Sequence, residues 1–147
     1  MNHDPVTHVY AHVDALIAAG VILRRHDQDG DRWLLLRSTK HHEWGFAKGH
    51  QDNGEDLVQT ALRECAEECG IALFAIEGEA LELNYRLPNG RRKRAVYFPA
   101  FTATETVVLS NEHDAWRWAR ADEVRGRLPH ATMVRLFESY LRSRKQH

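Results

Sequence analysis

Cysteine, proline and methionine are scarce in this chain of 147 residues, which contains two, four and two of them respectively. The two cysteines, Cys65 and Cys69, lie four residues apart. This arrangement excludes the disulfide framework of a small secreted domain. A two-cysteine metal clip would need further ligands, and no second cysteine pair accompanies these two. We therefore expect both thiols to pack on the buried side of a helix.

An excess of one charge and a long apolar run are also absent. Twenty basic and 21 acidic residues leave a net charge of −1, so no overall field attracts nucleic acid or membranes. No apolar stretch approaches the ~18 residues of a membrane span. The N-terminal residues also lack the basic start and apolar core of a signal peptide. We expect one cytoplasmic domain with no membrane contact and no stable nucleic-acid partner, while the oligomeric state stays open.

Short apolar runs separated by turn residues predict a sheet. Residues 18–25 and 32–38 are expected to pair across Asp29-Gly30, the second strand being buried on both faces. Pro88-Asn89-Gly90 predicts a hairpin between residues 80–87 and 93–102. Further predictions are an extended piece at 43–48, a strand around Trp116 and Trp118, a short helix from Ala121, an amphipathic helix over 131–143, and an N-terminal arm at 1–15 before a domain at 16–147. The pattern indicates the α/β class.

The segment Gly49–Ile71 concentrates five carboxylates in a stretch that should be mostly helical: Glu55, Asp56, Glu64, Glu67 and Glu68. Glu64 precedes Glu67 and Glu68 by three and four residues, so these three project from one side of a helix. Like charges at this spacing destabilise an isolated helix, and Arg63 is the one cation among them. A hard divalent cation removes the conflict, because Mg²⁺ prefers oxygen ligands. The spacing therefore predicts a metal site.

The same segment predicts the limits and the buried face of this helix. Asp52 or Asn53 is expected to cap a helix that begins near Asn53 or Glu55, and Gly70 is expected to end it. Apolar residues at helical spacing should dock on the sheet, namely Val58, Ala61, Leu62, Cys65 and Cys69. The carboxylates should then face away from this stripe, into a cleft.

The segment also matches the motif of the Nudix hydrolases: Gly, five residues, Glu, seven residues, Arg-Glu, an apolar residue, any residue, Glu-Glu, any residue, Gly and an apolar residue. These positions are Gly49, Glu55, Arg63-Glu64, Cys65, Glu67-Glu68, Gly70 and Ile71. Cys65 stands where an aliphatic residue is more usual. The resemblance implies an α/β/α sandwich on a central mixed sheet. It also implies hydrolysis of nucleoside diphosphate derivatives with Mg²⁺, for which Mn²⁺ is a substitute.

Three segments outside the motif resemble one subgroup, the asymmetrical diadenosine tetraphosphate hydrolases. They are residues 44–50, 82–86 and 109–118. The resemblance implies that Glu112 is a further metal ligand or the general base beside Glu64, Glu67 and Glu68. Its alternative is an exposed loop acid. Arg63 is expected to orient the ligands by pairing with Glu55 or Glu67.

Five residues are predicted to contact the substrate. Lys48 and Lys93 suit the phosphate chain, although the run Arg91–Arg94 around Lys93 is alternatively a solvated turn. Tyr85 and Tyr140 are expected to stack on the two faces of an adenine. Tyr97 is expected to hydrogen-bond a phosphate. For Tyr97 and Tyr140 the alternative is packing in the core, which their strand and helix patterns allow equally.

Some departures from the family pattern leave the substrate open. Ala47 replaces a common proline, Gln51-Asp52-Asn53 replaces Val-Glu-Pro, and the N-terminal arm has no counterpart. RNA 5′ triphosphate ends, nucleoside triphosphates and diphosphoinositol polyphosphates are therefore alternative substrates. A non-catalytic nucleotide- or RNA-binding module is a third hypothesis. Such a module would be expected to lose a motif acid, and this chain has kept them all.

Overall fold

The computed structural model describes residues 15–145, so the arm predicted for residues 1–15 lies outside it apart from its last residue. In chain order the elements are β1 (Leu16–Asp27), β2 (Gly30–Ser38), β3 (Trp44–Gly45), β4 (Lys48–His50), α1 (Leu57–Cys69), β5 (Ala75–Ile76), β6 (Leu81–Arg86), β7 (Arg92–Phe101), β8 (His113–Ala119), α2 (Ala121–Arg127) and α3 (Ala131–Lys145). None of the helices within this range is long and apolar enough to cross a membrane.

The strands form one mixed sheet with β1 at its centre. The principal order is β3-β2-β1-β7-β5, while β4 pairs with β1, β6 with β7 and β8 with β2. The pairing of β1 with β7 is parallel, and it runs in register from Leu16 opposite Lys93 to Arg24 opposite Phe101. The other pairings are antiparallel. The predicted mixed sheet of an α/β protein is confirmed.

The two faces of the sheet carry separate cores. Alternation along β2 sends Trp33 and Leu35 into a cluster with α2 and α3, and sends Leu34 and Leu36 into a cluster with α1. All four side chains are buried, which confirms that this strand is covered on both faces. The helices therefore enclose the sheet from both sides as the outer layers of a sandwich.

Most predicted elements are present, with small changes in their limits. The hairpin at Pro88-Asn89-Gly90, the strand with Trp116 and Trp118, and both helices after Ala121 are confirmed. The extended piece before the motif divides into β3 and β4. The sequence analysis missed β5, whose two residues pair with Phe101 and Ala100 of β7. A strand of this length is too short to show periodicity.

Candidate active site

Helix α1 begins later than the sequence suggested. Asp56 is its N-cap, and its carboxylate accepts a hydrogen bond from the Gln59 amide at 2.8 Å. The Gln59 side chain accepts a bond from the Asp56 amide at 2.8 Å, which completes a capping box. The predicted caps, Asp52 and Asn53, and the predicted start near Asn53 or Glu55 are therefore wrong. The end is as predicted, since Gly70 adopts the left-handed conformation with φ of 73°.

The buried face of α1 is narrower than the predicted stripe. Ala61, Cys65 and Cys69 are buried against the sheet, as expected. The prediction that Val58 and Leu62 are also buried is wrong, because both side chains are exposed. Glu68 is buried on this helix with only 6% of its surface accessible, so the carboxylates do not all face outward. The cleft reaches down beside the helix to this acid.

Arg63 joins the motif loop to the helix. Its guanidinium donates to both carboxylate oxygens of Glu55, at 2.7 and 3.0 Å, and to the His50 carbonyl at 2.9 Å. It also donates to Glu64 at 2.9 Å and to Glu67 at 3.2 Å. The predicted pairing with Glu55 or Glu67 is confirmed, and both pairs form together. Arg63 thereby fixes the loop and two motif acids relative to one another.

Glycine at position 49 permits this arrangement. A Cβ atom there would overlap the Glu64 carboxylate, so any larger residue would displace the acid or the loop. Residues 48–50 are held as β4 against β1, with Gly20 opposite Lys48. Glycine is needed at position 49 because the Glu64 carboxylate lies directly against its backbone. The pairing of β4 with β1 fixes the position of that backbone.

Burial and mutual repulsion mark Glu64 and Glu68 as unusual acids. Burial raises the pKa of Glu68 to about 8, against the hydrogen bond from the Lys48 amide and the charge of Lys48, while the charges of Glu64 and Glu112 add to the rise. The pKa of Glu64 is also raised, first by burial, against the effect of Arg63, with Glu67 and Glu112 contributing. A nearby cation would stabilise the ionised form of both carboxylates and so lower their pKa.

The loop before β8 brings Glu112 to these acids. The Val108 amide donates to the Cys69 carbonyl at 3.0 Å, and the Ser110 amide lies 3.3 Å from the Glu68 carbonyl. The Glu112 carbonyl accepts from the Thr39 amide at 2.9 Å. These backbone contacts attach the loop to the end of α1 and to β2. Glu112 consequently lines the same cleft as Glu64 and Glu68.

The donor set suits a hard cation in its chemistry, since it consists of carboxylate oxygens that repel one another. Within residues 15–145, however, no three acidic, histidine or cysteine side chains already converge on one metal position. Arg63 holds Glu64 and Glu67, and the Lys48 amide bonds Glu68 Oε1 at 3.0 Å. Glu67 extends to solvent with 55% of its side chain exposed. The four-acid ligand set therefore stays a prediction.

A cleft of about 1390 Å³ opens beside the acids. Lys48 and Lys93 line it, and both charges lower the pKa of His50, after burial as the main cause. The pKa of Lys93 is itself lowered, chiefly by burial and then by Lys48. The cleft thus combines an acidic wall with two lysines whose positive charges repel each other. An anion between the lysines would relieve that repulsion.

Tyr85 and Tyr97, two of the three tyrosines predicted to contact the substrate, differ in their accessibility. Tyr85 lies on β6 opposite Lys93 of β7, lines the cleft and is 42% exposed, so its ring is accessible. Tyr97 reaches the cleft lining but is almost wholly buried in the core. Its packing alternative is favoured, and burial raises the pKa of its hydroxyl well above the ordinary value.

Tyr140 is not available for stacking, and that prediction is wrong. Only 1% of its surface is accessible, and its hydroxyl accepts a hydrogen bond from the Trp33 indole at 2.8 Å. Its ring packs edge-on against Trp33 and beside Phe137. The helical stripe therefore turns Tyr140 towards the sheet, where it belongs to the core cluster.

Two parts of the cleft lining were missed in the sequence. One is the β2–β3 turn, which contributes Lys40 and His41; the other is the start of α3, which contributes residues 129–133. His130 Nε2 lies 3.6 Å from a carboxylate oxygen of Glu43, which links the two parts. Neither segment carries a motif, and only the tertiary fold brings them together. His113 also lines the cleft, and its pKa is lowered chiefly by burial.

The comparisons with known proteins agree with this fold. The NUDIX domain family matches residues 15–137. The chain belongs to the Nudix family, and the resemblance drawn from the motif is confirmed.

Particular relatives narrow the comparison. The chain is 40% identical over 121 residues to the asymmetrical bis(5′-nucleosyl)-tetraphosphatase of Rattus norvegicus, covering 74% of this chain and 82% of that protein. It is 33% identical over 115 residues to an RNA pyrophosphohydrolase of Caulobacter vibrioides, covering 65% and 67% of the two chains. The crystal structure of a C. elegans Ap4A hydrolase binary complex superposes with a TM-score of 0.83 at 29% identity, covering 90% of this chain and 99% of that one.

Proposed function

We propose that the protein is a magnesium-dependent hydrolase that splits diadenosine tetraphosphate asymmetrically into ATP and AMP. The observation that carries the proposal is the cleft in which Glu64, Glu68 and Glu112 lie beside Lys48 and Lys93. A polyphosphate needs positive charge along its oxygens and a strong electrophilic aid at the phosphorus that is attacked. Similarity to asymmetrical bis(5′-nucleosyl)-tetraphosphatases supports the choice of substrate.

Glu64, Glu67, Glu68 and Glu112 are the proposed ligands of Mg²⁺, with Mn²⁺ as a substitute. When bound, the ion would neutralise phosphate oxygens and lower the pKa of a coordinated water. Arg63 keeps Glu64 and Glu67 close to the loop through its contacts at 2.9 and 3.2 Å. Its proposed role is to position the acids, because its guanidinium is occupied by protein partners.

Lys48 and Lys93 are proposed to hold the phosphate chain. Lys93 lies at the end of the parallel β1–β7 pairing, opposite Leu16, and Lys48 lies on the short strand that pairs with the other side of β1. An anionic phosphate chain between the two lysines would offset the repulsion between their positive charges. The exposed ring of Tyr85 is proposed to stack on an adenine near this point, and Tyr97 is at most a secondary contact because of its burial.

The direct test is incubation of the pure protein with diadenosine tetraphosphate and Mg²⁺, with the products separated by anion-exchange chromatography. ATP and AMP in equal amounts are expected, and none should form with excess chelator. Two molecules of ADP per substrate, or no turnover with Mg²⁺ or Mn²⁺, would contradict the proposal.

RNA 5′-end hydrolysis is the second candidate, because the similarity to an RNA pyrophosphohydrolase is a specific observation in its favour. The measurement that separates the two is kcat/KM for diadenosine tetraphosphate, triphosphorylated RNA, a nucleoside triphosphate and a diphosphoinositol polyphosphate under one set of conditions. We expect the dinucleotide to have the highest value. The accessible Tyr85 ring favours a substrate with a base over an inositol.

The proposed setting is the cytoplasm. Cys65 and Cys69 are both free and buried, which fits a reducing compartment. Fractionation of cells that express the protein is the check.

A further inference from the structure

Cys65 and Cys69 form a dithiol pair that the proposed hydrolysis does not use. Both side chains are fully buried on α1, and their Sγ atoms lie 3.6 Å apart. We propose that the pair is an oxidation site: a small hydroperoxide converts it into an intrahelical disulfide, which reversibly lowers the activity of the enzyme. The effect on activity rests on the proposed function, whereas formation of the bond does not.

The geometry places the two sulfurs in van der Waals contact, 3.6 Å apart. Residues one turn apart in a helix have Cα atoms about 6 Å apart. Disulfides are found with Cα separations of about 4.4–6.8 Å. The sulfurs would have to approach from 3.6 Å to about 2 Å. The Cys69 thiol already donates to the Cys65 carbonyl at 3.0 Å, so both side chains lie along the same side of the helix.

The reaction balances with a hydroperoxide as the oxidant. Hydrogen peroxide oxidises one thiol to a sulfenic acid and is reduced to water. The neighbouring sulfur then attacks the sulfenic sulfur, the S–S bond forms and a second water leaves. In total the two thiols lose two electrons and two protons to the peroxide. Burial slows the access of every reagent to the sulfurs, and hydrogen peroxide, which is about the size of water, reaches them more readily than a bulky disulfide does.

Bond formation would strain the helix that carries the metal-site acids. The Cβ atoms of residues one turn apart on a helix are about 5–6 Å apart, whereas a disulfide needs about 3.5–4.5 Å. The last turn of α1 must therefore tighten or bend. Glu64 and Glu68 each directly precede one of the cysteines, and Glu68 is held by the Lys48 amide at 3.0 Å. Movement of this turn displaces Glu68 in the cleft, and strain also makes the bond easier to reduce.

The experiment exposes the reduced, folded protein to hydrogen peroxide and follows bond formation and activity together. Cleavage after Arg63 and Arg86 releases both cysteines in one peptide, residues 64–86. The expected product is this peptide lighter by two hydrogen atoms and resistant to alkylation until a thiol reductant is added. Turnover should fall at least about tenfold, since a shift of about 1 Å near the chemistry is enough for such a loss. The reductant should restore it.

The matched variants are Cys69→Ala and Cys65→Val. Each removes one of the two thiols and replaces it with a small apolar side chain. Both should keep turnover within about twofold of the original and lose the reductant-reversible inhibition by peroxide. An unmodified 64–86 peptide in inactivated protein would overturn the proposal. So would equal, reductant-reversible inhibition of the variants, or a complete disulfide with unchanged turnover. If the protein has no hydrolase activity, the mass change still tests the bond and the proposed function fails separately.

Discussion

Two carboxylates of the motif segment show how far the surroundings of one side chain set its chemistry. The Arg63 guanidinium, bonded to both oxygens, lowers the pKa of Glu55 to about 2. Burial raises the pKa of Glu68 to about 8. Glu55 is therefore a permanent anion that anchors an arginine. Glu68 carries a charge that only a nearby cation makes favourable, which matches a structural role for the first and a ligand role for the second.

Replacing Glu68 by Gln should remove the charge with little change in shape. We expect kcat to fall by about 10²-fold or more, because a group that stabilises charge in the transition state is lost. Nucleotide binding should be partly retained. Steady-state kinetics and direct binding are the measurements, with Glu79→Gln as the control because that acid is exposed. An unchanged kcat would refute the metal assignment of Glu68.

Substitutions of Tyr85 and Tyr140 should affect different quantities, the first KM and the second the free energy of unfolding. Tyr85→Ala should raise KM for the dinucleotide about tenfold or more, because stacking on a base is worth about 1–3 kcal/mol. Tyr85→Phe keeps the ring and should have little effect. If Tyr85→Ala leaves KM unchanged, Tyr85 is not part of the base site.

Tyr140→Phe should lower the free energy of unfolding by about 1–2 kcal/mol, since the buried Trp33 N–H loses its acceptor. Its KM should match that of the original protein. Denaturant unfolding and kinetics on the same preparation measure both quantities. A raised KM with unchanged stability would restore Tyr140 to the site.

At the scale of an element, the start of α1 depends on one cap. Asp56→Ala should lower the free energy of unfolding by about 1 kcal/mol, because the Gln59 amide loses its side-chain acceptor. Asn53→Ala is the control, since Asn53 lies in the loop ahead of the helix and is exposed. Equal losses in the two variants, measured by chemical denaturation, would argue against the capping box.

Helix α3 is attached to the sheet by charge at its far end. Asp31 accepts bonds from Arg24 at 2.8 Å, from His26 at 2.9 Å and from Arg144 of α3 at 3.0 Å. Burial alone would raise the pKa of Asp31, but these hydrogen bonds and the two arginine charges bring it below 3.8. The network joins β1, β2 and α3 through one carboxylate.

Asp31→Asn should lower the free energy of unfolding by about 1–2 kcal/mol at neutral pH. Because the folded pKa lies below the unfolded value near 3.8, the contribution is complete above that pH and is lost as the pH falls through the folded pKa. The difference between the variant and the original should therefore vanish in strong acid. Asp29→Asn, at a side chain that is 74% exposed, is the control. A difference that persists unchanged into strong acid would contradict the charge argument.

For the whole molecule, folding and metal binding should be separable. Arg63 already offsets the charge of Glu55, Glu64 and Glu67, so the chain does not need a metal to assemble the helix and the loop. Excess chelator should abolish turnover while the circular dichroism spectrum stays unchanged. Mg²⁺ at about 100 times its Kd should add about 2.7 kcal/mol of stability. The gain should be smaller in Glu68→Gln, and unfolding by the chelator alone would contradict this picture.

The sequence predicted those parts of the molecule that depend on local spacing. The motif located Glu64 and Glu68, and the hairpin signal at Pro88-Asn89-Gly90 located β6 and β7. The cap was misplaced because residues 52–56 include several side chains able to cap a helix, and only packing selects one. Helical periodicity identified Tyr140 as part of a buried stripe. It does not reveal whether the neighbour of that stripe is the core or the cleft.

The parallel pairing of β1 with β7 joins residues 16–24 to residues 93–101. Lys48 takes its position from the same strand, through the pairing of β4 with β1. The substrate cleft therefore cannot exist in a growing chain until the seventh strand has emerged and inserted beside the first. Such distant contacts slow folding, because a long loop must close before any of them is made. Nascent or truncated chains that end before β7 would carry the complete motif and all four of its glutamates, yet have no cleft in which to use them.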